Sequence, residues 1–189
     1  MSRFTTFTRS IAAVPVAFYG FAFHKSAISI HTAAQQQLPY EISTIPSGPF
    51  SVVVSFTMAL LVFAVGSRSV RRFALPVGIA AQLGAHGLLL VAFINGSWAE
   101  VALTGGSVLT ALGTVSLSAL WIDLYGRLNP IRAVFCNAVS ILIAQAIIFF
   151  LEAVPIERMF VALFIAPMLT ATTYTVAYRH EEEQCSGPS

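Results

Sequence analysis

The sequence predicts an all-α integral membrane protein, a six-helix transmembrane bundle, on three observations: its composition, the spacing of its charges and the sidedness of its arginines. Of its 189 residues, 57% are hydrophobic and 10% charged, and the mean hydropathy is +0.80. An ordinary soluble domain is about 25% charged. The few charges leave uncharged intervals of 26 residues between Glu41 and Arg68, 27 between Arg72 and Glu100, 22 between Glu100 and Asp123, 19 between Arg132 and Glu152, and 20 between Arg158 and Arg179. Each is close to the roughly 20 helical residues that cross about 30 Å of hydrocarbon.

Taken in order, the predicted spans are 10–30, 50–66, 73–95, 100–122, 131–152 and 158–178, with 1–9 and 179–189 as cytoplasmic ends. The first is the shortest, because Arg9 and Lys25 leave only residues 10–24 between them. Long basic side chains reach toward the interfaces, and Pro15 is tolerated as a kink. A second reading of this segment takes Arg3 and Arg9 as the basic start of a signal peptide, 11–23 as its apolar core and the small residues near Ala33 as the cleavage site. Spans three and four carry small residues at i, i+4, Ala80 with Gly84 and Ser107 with Ala111, which suit close helix packing. Trp98 and Trp121 fall at opposite ends of span four and are expected at the two interfaces. The acidic run Glu181 to Glu183 opposes the negative end of a helix, so span six is expected to end before it.

The third observation is that Arg3, Arg9, Arg68, Arg71, Arg72, Arg127, Arg132 and Arg179 all fall on one side of this arrangement, eight of the ten basic residues. That side is the cytoplasm by the positive-inside rule. Glu41, Glu100, Glu152, Glu157 and Arg158 fall on the other, so both termini are expected inside. The net charge of +2 and the scattering of the arginines among short turns exclude a nucleic-acid surface.

Polar side chains within spans are expected to face the bundle interior. Counted from the predicted cytoplasmic starts, Lys25, His86 and Gln145 all lie about 20 Å deep, and Gln82 is one helical turn before His86. Together they form a candidate ligand site, Lys25 attracting an anionic group and Gln82, His86 and Gln145 supplying hydrogen bonds. Thr110, Thr114, Thr170 and Thr173 are placed to add hydroxyls. The alternative is that these residues simply join helices by hydrogen bonds. Asp123 and Arg127 are spaced as an exposed ion pair. The sequence contains no nucleophile paired with a base, no metal-ligand spacing and no phosphate-binding loop, so neither an enzyme nor a cofactor is expected.

The stretch WIDLYGRLNPIRAVF, residues 121–135, resembles the cytoplasmic turn of the major-facilitator-like membrane domains that precede a LuxR-type DNA-binding module in regulators of the Eggerthella group of actinobacteria. The likeness rests on Leu124, Tyr125, Arg127, Leu128, Pro130, Arg132 and Ala133, within residues 50–178. It implies half of a major-facilitator-like fold in a bacterial cytoplasmic (inner) membrane, acting as a sensory or partner-binding module for a small ligand. Two departures bear on this. Residues 179–189 follow the last predicted span, so DNA binding by this chain is not expected, and Ser67 to Arg72 lack the aspartate of the transporter signature. A transporter built as a homodimer or with a second half-domain is the main alternative, and an inserted remnant without specific activity a third.

Overall fold

The computed structural model describes residues 15–38, 47–65 and 67–185, and among them it is all helical, with no strand. The order is a 3-10 segment Val16–Gly20 running into α1 (Phe21–Gln36), then α2 (Ser47–Val65), α3 (Ser67–Ile94), a 3-10 turn Gly96–Trp98, α4 (Ala99–Gly126), α5 (Pro130–Glu152) and α6 (Ile156–Cys185). Among the described residues, four stretches are by length and composition apolar enough to cross a membrane: Arg72–Ile94, Gly96–Gly126, Pro130–Leu151 and Ile156–Glu183. Arg3, Arg9, Glu41 and residues 10–14 of the expected first span lie outside the described residues.

The turns are short because side chains close them. Asn95 Oδ1 accepts from the Ser97 amide at 3.2 Å and from its hydroxyl at 2.7 Å. Asn129 caps α5 through the Ile131 amide at 3.0 Å, and Pro130 takes the first helical position, where its missing N–H costs nothing.

Helices α3 and α4 form the most extensive pair. Their contact face is small and tight: a Cβ added at Gly113 would stand 2.6 Å from Gln82 Cγ, 3.0 Å from the Gln82 amide nitrogen and 3.1 Å from the Gly78 carbonyl oxygen. Ser107 and Ala111 are buried on α4, but the α4 glycines set against the α3 backbone are Gly106 and Gly113; on α3, Ala81 and Ala85 are buried while Ala80 is exposed. Gly84 keeps its expected place, a Cβ there standing 3.0 Å from Leu109 Cδ1 of α4. α1 packs against α6 and α5 and touches α4, and α2 lies along α4.

The change from 3-10 to α winding at Gly20 disturbs the regular ladder, and a carbonyl freed within the packed bundle needs another donor. Side chains compensate here: the Tyr125 hydroxyl donates to the Phe18 carbonyl at 2.8 Å and the Ser140 hydroxyl to that of Tyr19 at 3.4 Å. Gly20 itself lies hard against Thr173 of α6, where any side chain would collide.

Two apolar clusters fill the bundle toward its ends. One gathers Phe18, Phe21, Leu117, Trp121, Tyr125 and Tyr174 near the end that carries Arg127 and Arg179. The other gathers Ile30, Leu89, Leu103, Met159, Phe160 and Leu163 at the opposite end. Trp98 is exposed, whereas Trp121, only 1% exposed, turns inward rather than to the interface. Its ring meets Phe21, Tyr125 and Tyr174 at centroid distances of 5.7–5.9 Å.

The carboxyl-terminal helix runs on through Glu181, Glu182 and Glu183 to Cys185 instead of stopping before them. Tyr178 donates to Glu182 one turn later at 2.8 Å, and Arg127 lies over the Tyr178 ring at 5.2 Å from its centroid. The dipole penalty on the three carboxylates, Glu181 half-buried and Glu182 and Glu183 exposed, amounts to about 0.3–1 kcal/mol each, too little to break an otherwise favourable helix. Residues 67–72 likewise form the start of α3 instead of a loop. The expected Asp123–Arg127 pair is present at 3.4 Å, half exposed and worth little to stability.

Candidate functional site: a buried row of histidine, glutamine and hydroxyl groups

Between the two apolar clusters, α1, α3 and α4 each contribute polar side chains at helical spacing. On α1 these are His24 and His31, on α3 Gln82 and His86, and on α4 Thr110, Thr114 and Ser118. His24 is 0% exposed, His31 3%, Gln82 2% and His86 2%. Buried polar groups of this kind persist only when they satisfy one another.

They do so in two linked sets. In the first, Gln82 Nε2 lies 3.3 Å from His24 Nδ1, and His24 Nε2 lies 3.0 Å from Ser118 Oγ. With Gln82 donating to Nδ1, His24 carries its proton on Nε2 and donates to Ser118. In the second, His31 Nδ1 and His86 Nδ1 are 3.0 Å apart. Two neutral imidazoles share such a contact only if one donates and the other accepts. Gln35 Nε2 at 3.3 Å and Thr110 Oγ1 at 3.4 Å both reach His31 Nε2. Donation from Gln35 makes that nitrogen the acceptor, so His31 donates from Nδ1 to His86, and His86 holds its own proton on Nε2.

This assignment leaves a specific set of unpaired atoms. Gln82 Oε1 is an acceptor without a donor, and His86 Nε2 is a donor without an acceptor; Thr114 Oγ1, midway on α4 between Thr110 and Ser118, also lacks a partner. His86 additionally meets the Phe164 ring edge-on, with centroids 6.3 Å apart. The row contains no carboxylate and no thiol. Among the described residues no three His, Cys, Asp or Glu side chains converge as metal ligands.

Of the four residues expected to form a ligand site, Gln82 and His86 are in this row. Lys25 is half-buried, its ammonium 4.7 Å from the centroid of the Phe21 ring one turn earlier on its own helix. Gln145 is exposed on the outer face of α5. The buried face of that helix is instead Cys136, Ser140, Ala144 and Ile148, so Gln145 points away from the bundle. Thr110 and Thr114 join the row, while Thr170 and Thr173 turn their hydroxyls to carbonyls of α6 at 2.8 and 2.7 Å. His24, His31, Gln35 and Ser118 were not anticipated as members. The i, i+7 spacing of His24 and His31 was the available signal.

The two imidazoles in contact should behave as a unit. Replacing His31 or His86 alone by leucine strips the partner of its bond, whereas replacing both removes the polar groups together. The double variant is expected to be more stable than the sum of the singles predicts by about 1–2 kcal/mol, read as a double-mutant cycle of thermal unfolding in detergent.

No protein-family model matches the chain, and neither a curated protein nor a solved structure is significantly similar to it.

Proposed function

We propose that the chain is a non-enzymatic, multi-pass sensory module of a bacterial inner membrane, which binds a compact polar solute at the row formed by Gln82, His86 and Thr114. The observation that carries this reading is that, of five buried side-chain atoms without a partner among the described residues, three fall in this row on two adjacent helices: Gln82 Oε1, His86 Nε2 and Thr114 Oγ1. In lipid, unpaired polar groups are costly, and they mark sites where something else completes the bonding. Their chemistry selects the solute. It must donate to a carboxamide oxygen and accept from an imidazole N–H, as a neutral hydroxyl or amide compound does. The absence of any carboxylate from the row favours a neutral ligand over a cationic one.

The six-span arrangement with both termini in the cytoplasm is part of the same reading. Four spans follow from length and composition. For the first, Val16–Gly20 in 3-10 winding and Phe21–Gln36 in α winding together rise about 34 Å, enough to cross. α2 has 19 residues and rises about 28 Å. The basic start of α3 and the basic turn after α4 then share the cytoplasmic side.

A thermal-shift screen of the detergent-purified protein against polyols, amino acids and small carboxamides tests the binding reading. A solute that raises the melting temperature of the wild type is expected to lose its effect in Gln82→Leu and His86→Leu and to keep it in Gln145→Leu. A panel that shifts nothing, or shifts all four proteins alike, overturns the reading. Uptake of the same solute into proteoliposomes would replace sensing with transport.

A further inference from the structure

Helix α5 is covered on one side only. Of its apolar window 17% is buried, against 39–44% for the windows in α3, α4 and α6. Its inward ridge is Cys136, Ser140, Ala144 and Ile148, spaced by four and all buried. Two further ridges with the same spacing face outward: Asn137, Ile141, Gln145 and Phe149, and beside it Val134, Ala138, Leu142, Ala146 and Phe150, all exposed. In a span that begins at Pro130, Asn137 lies about 10 Å and Gln145 about 22 Å along the helix. Both carboxamides therefore face hydrocarbon at depths where no water satisfies them. Among the described residues neither forms a hydrogen bond.

We propose that this face is the seam of a homodimer, in which α5 of a second copy packs across a two-fold axis along the membrane normal. Two copies inserted in the same orientation bring Asn137 opposite Asn137 and Gln145 opposite Gln145, at equal depths. A carboxamide is both donor and acceptor and so is complementary to its own image. A different partner would need two polar groups at the same two depths and the same separation, whereas a second copy has them by construction. The shape agrees. Ala138 and Ala146 leave shallow places between the ridges, and ridges spaced by four interlock at a crossing of about 40–50° centred on Ile141. This inference is independent of the solute site, because α5 contributes nothing to it.

The test is cysteine cross-linking in native membranes, in a chain carrying Cys136→Ala and Cys185→Ala. Ile141→Cys and Gln145→Cys are expected to give a disulfide-linked dimer on oxidation, and Ala144→Cys on the buried ridge to give none. Single-molecule photobleaching in lipid vesicles, with the native cysteines retained, provides a second measurement. There the wild type is expected to dimerise, and the Asn137→Leu/Gln145→Leu variant to dissociate about tenfold more readily while melting like the wild type. A wild type that stays monomeric in vesicles, equal cross-linking from Ala144, or cross-links from Gln145 to a different membrane protein would each overturn the proposal.

Discussion

Gly113→Val is expected to unfold the bundle about 10 °C earlier than the wild type in detergent, equivalent to a loss of about 3 kcal/mol. The cause is backbone contact. A Cβ at this position meets the Gln82 amide nitrogen at 3.0 Å and the Gly78 carbonyl at 3.1 Å, and neither can rotate away as a side chain would. α3 and α4 must separate, and Gln82 and His86 move with α3. Gly87 on α3 is the control, since a Cβ there meets nothing within 4 Å. Gly87→Ala is expected to leave stability unchanged or raise it by up to about 1 kcal/mol through helix propensity.

Trp121→Ala is the second substitution with a large expected effect. The indole is fully enclosed by Phe21, Tyr125 and Tyr174, and deleting it opens a cavity that its aromatic neighbours fill only in part. The cost is expected at about 3 kcal/mol, the low end for such a truncation, because helices already in lipid lose packing rather than water-driven burial. Trp121→Phe separates packing from polarity. The indole Nε1 has no hydrogen-bond partner, so phenylalanine removes an unsatisfied donor while keeping most of the ring, and its cost should be at most about 1 kcal/mol. Equal losses in the two variants, measured by thermal unfolding, would show that the indole nitrogen has a partner.

What was legible in the sequence was set by the kind of signal each feature leaves. The long apolar helices followed from uncharged intervals, since an ion in hydrocarbon costs far more than any local preference. Gln82 and His86 were legible as a pair because i, i+4 is a property of any helix, whatever it packs against. Gln145 was not legible, because depth along a helix is a matter of counting whereas the direction a side chain faces depends on which neighbours cover it. α5 is covered on one face alone, and Gln145 falls on the other. His31 was missed for a related reason. Anchoring the first span at Arg9 ended it at residue 30 and placed His31 in the following loop, whereas the described helix runs from Phe21 to Gln36 and carries His31 inside the bundle. The position of Trp121 near a helix end points to an interface, yet Phe21 on α1 and Tyr174 on α6 make an inward site better packed, and nothing local to WIDLYGR records them. The resemblance of that stretch to a regulatory membrane domain stands as a reading of residues alone.

The tightly wound, elongated start of the first helix has a mechanical consequence. Each residue of Val16–Gly20 rises about 2.0 Å in its present winding and would rise about 1.5 Å if recoiled. The segment thus holds about 2.5 Å of adjustable length, comparable to the difference in thickness between one natural bilayer and another. The Tyr125 and Ser140 hydroxyls bond to the Phe18 and Tyr19 carbonyls of this stretch, so any change of winding there has to break or remake those two bonds.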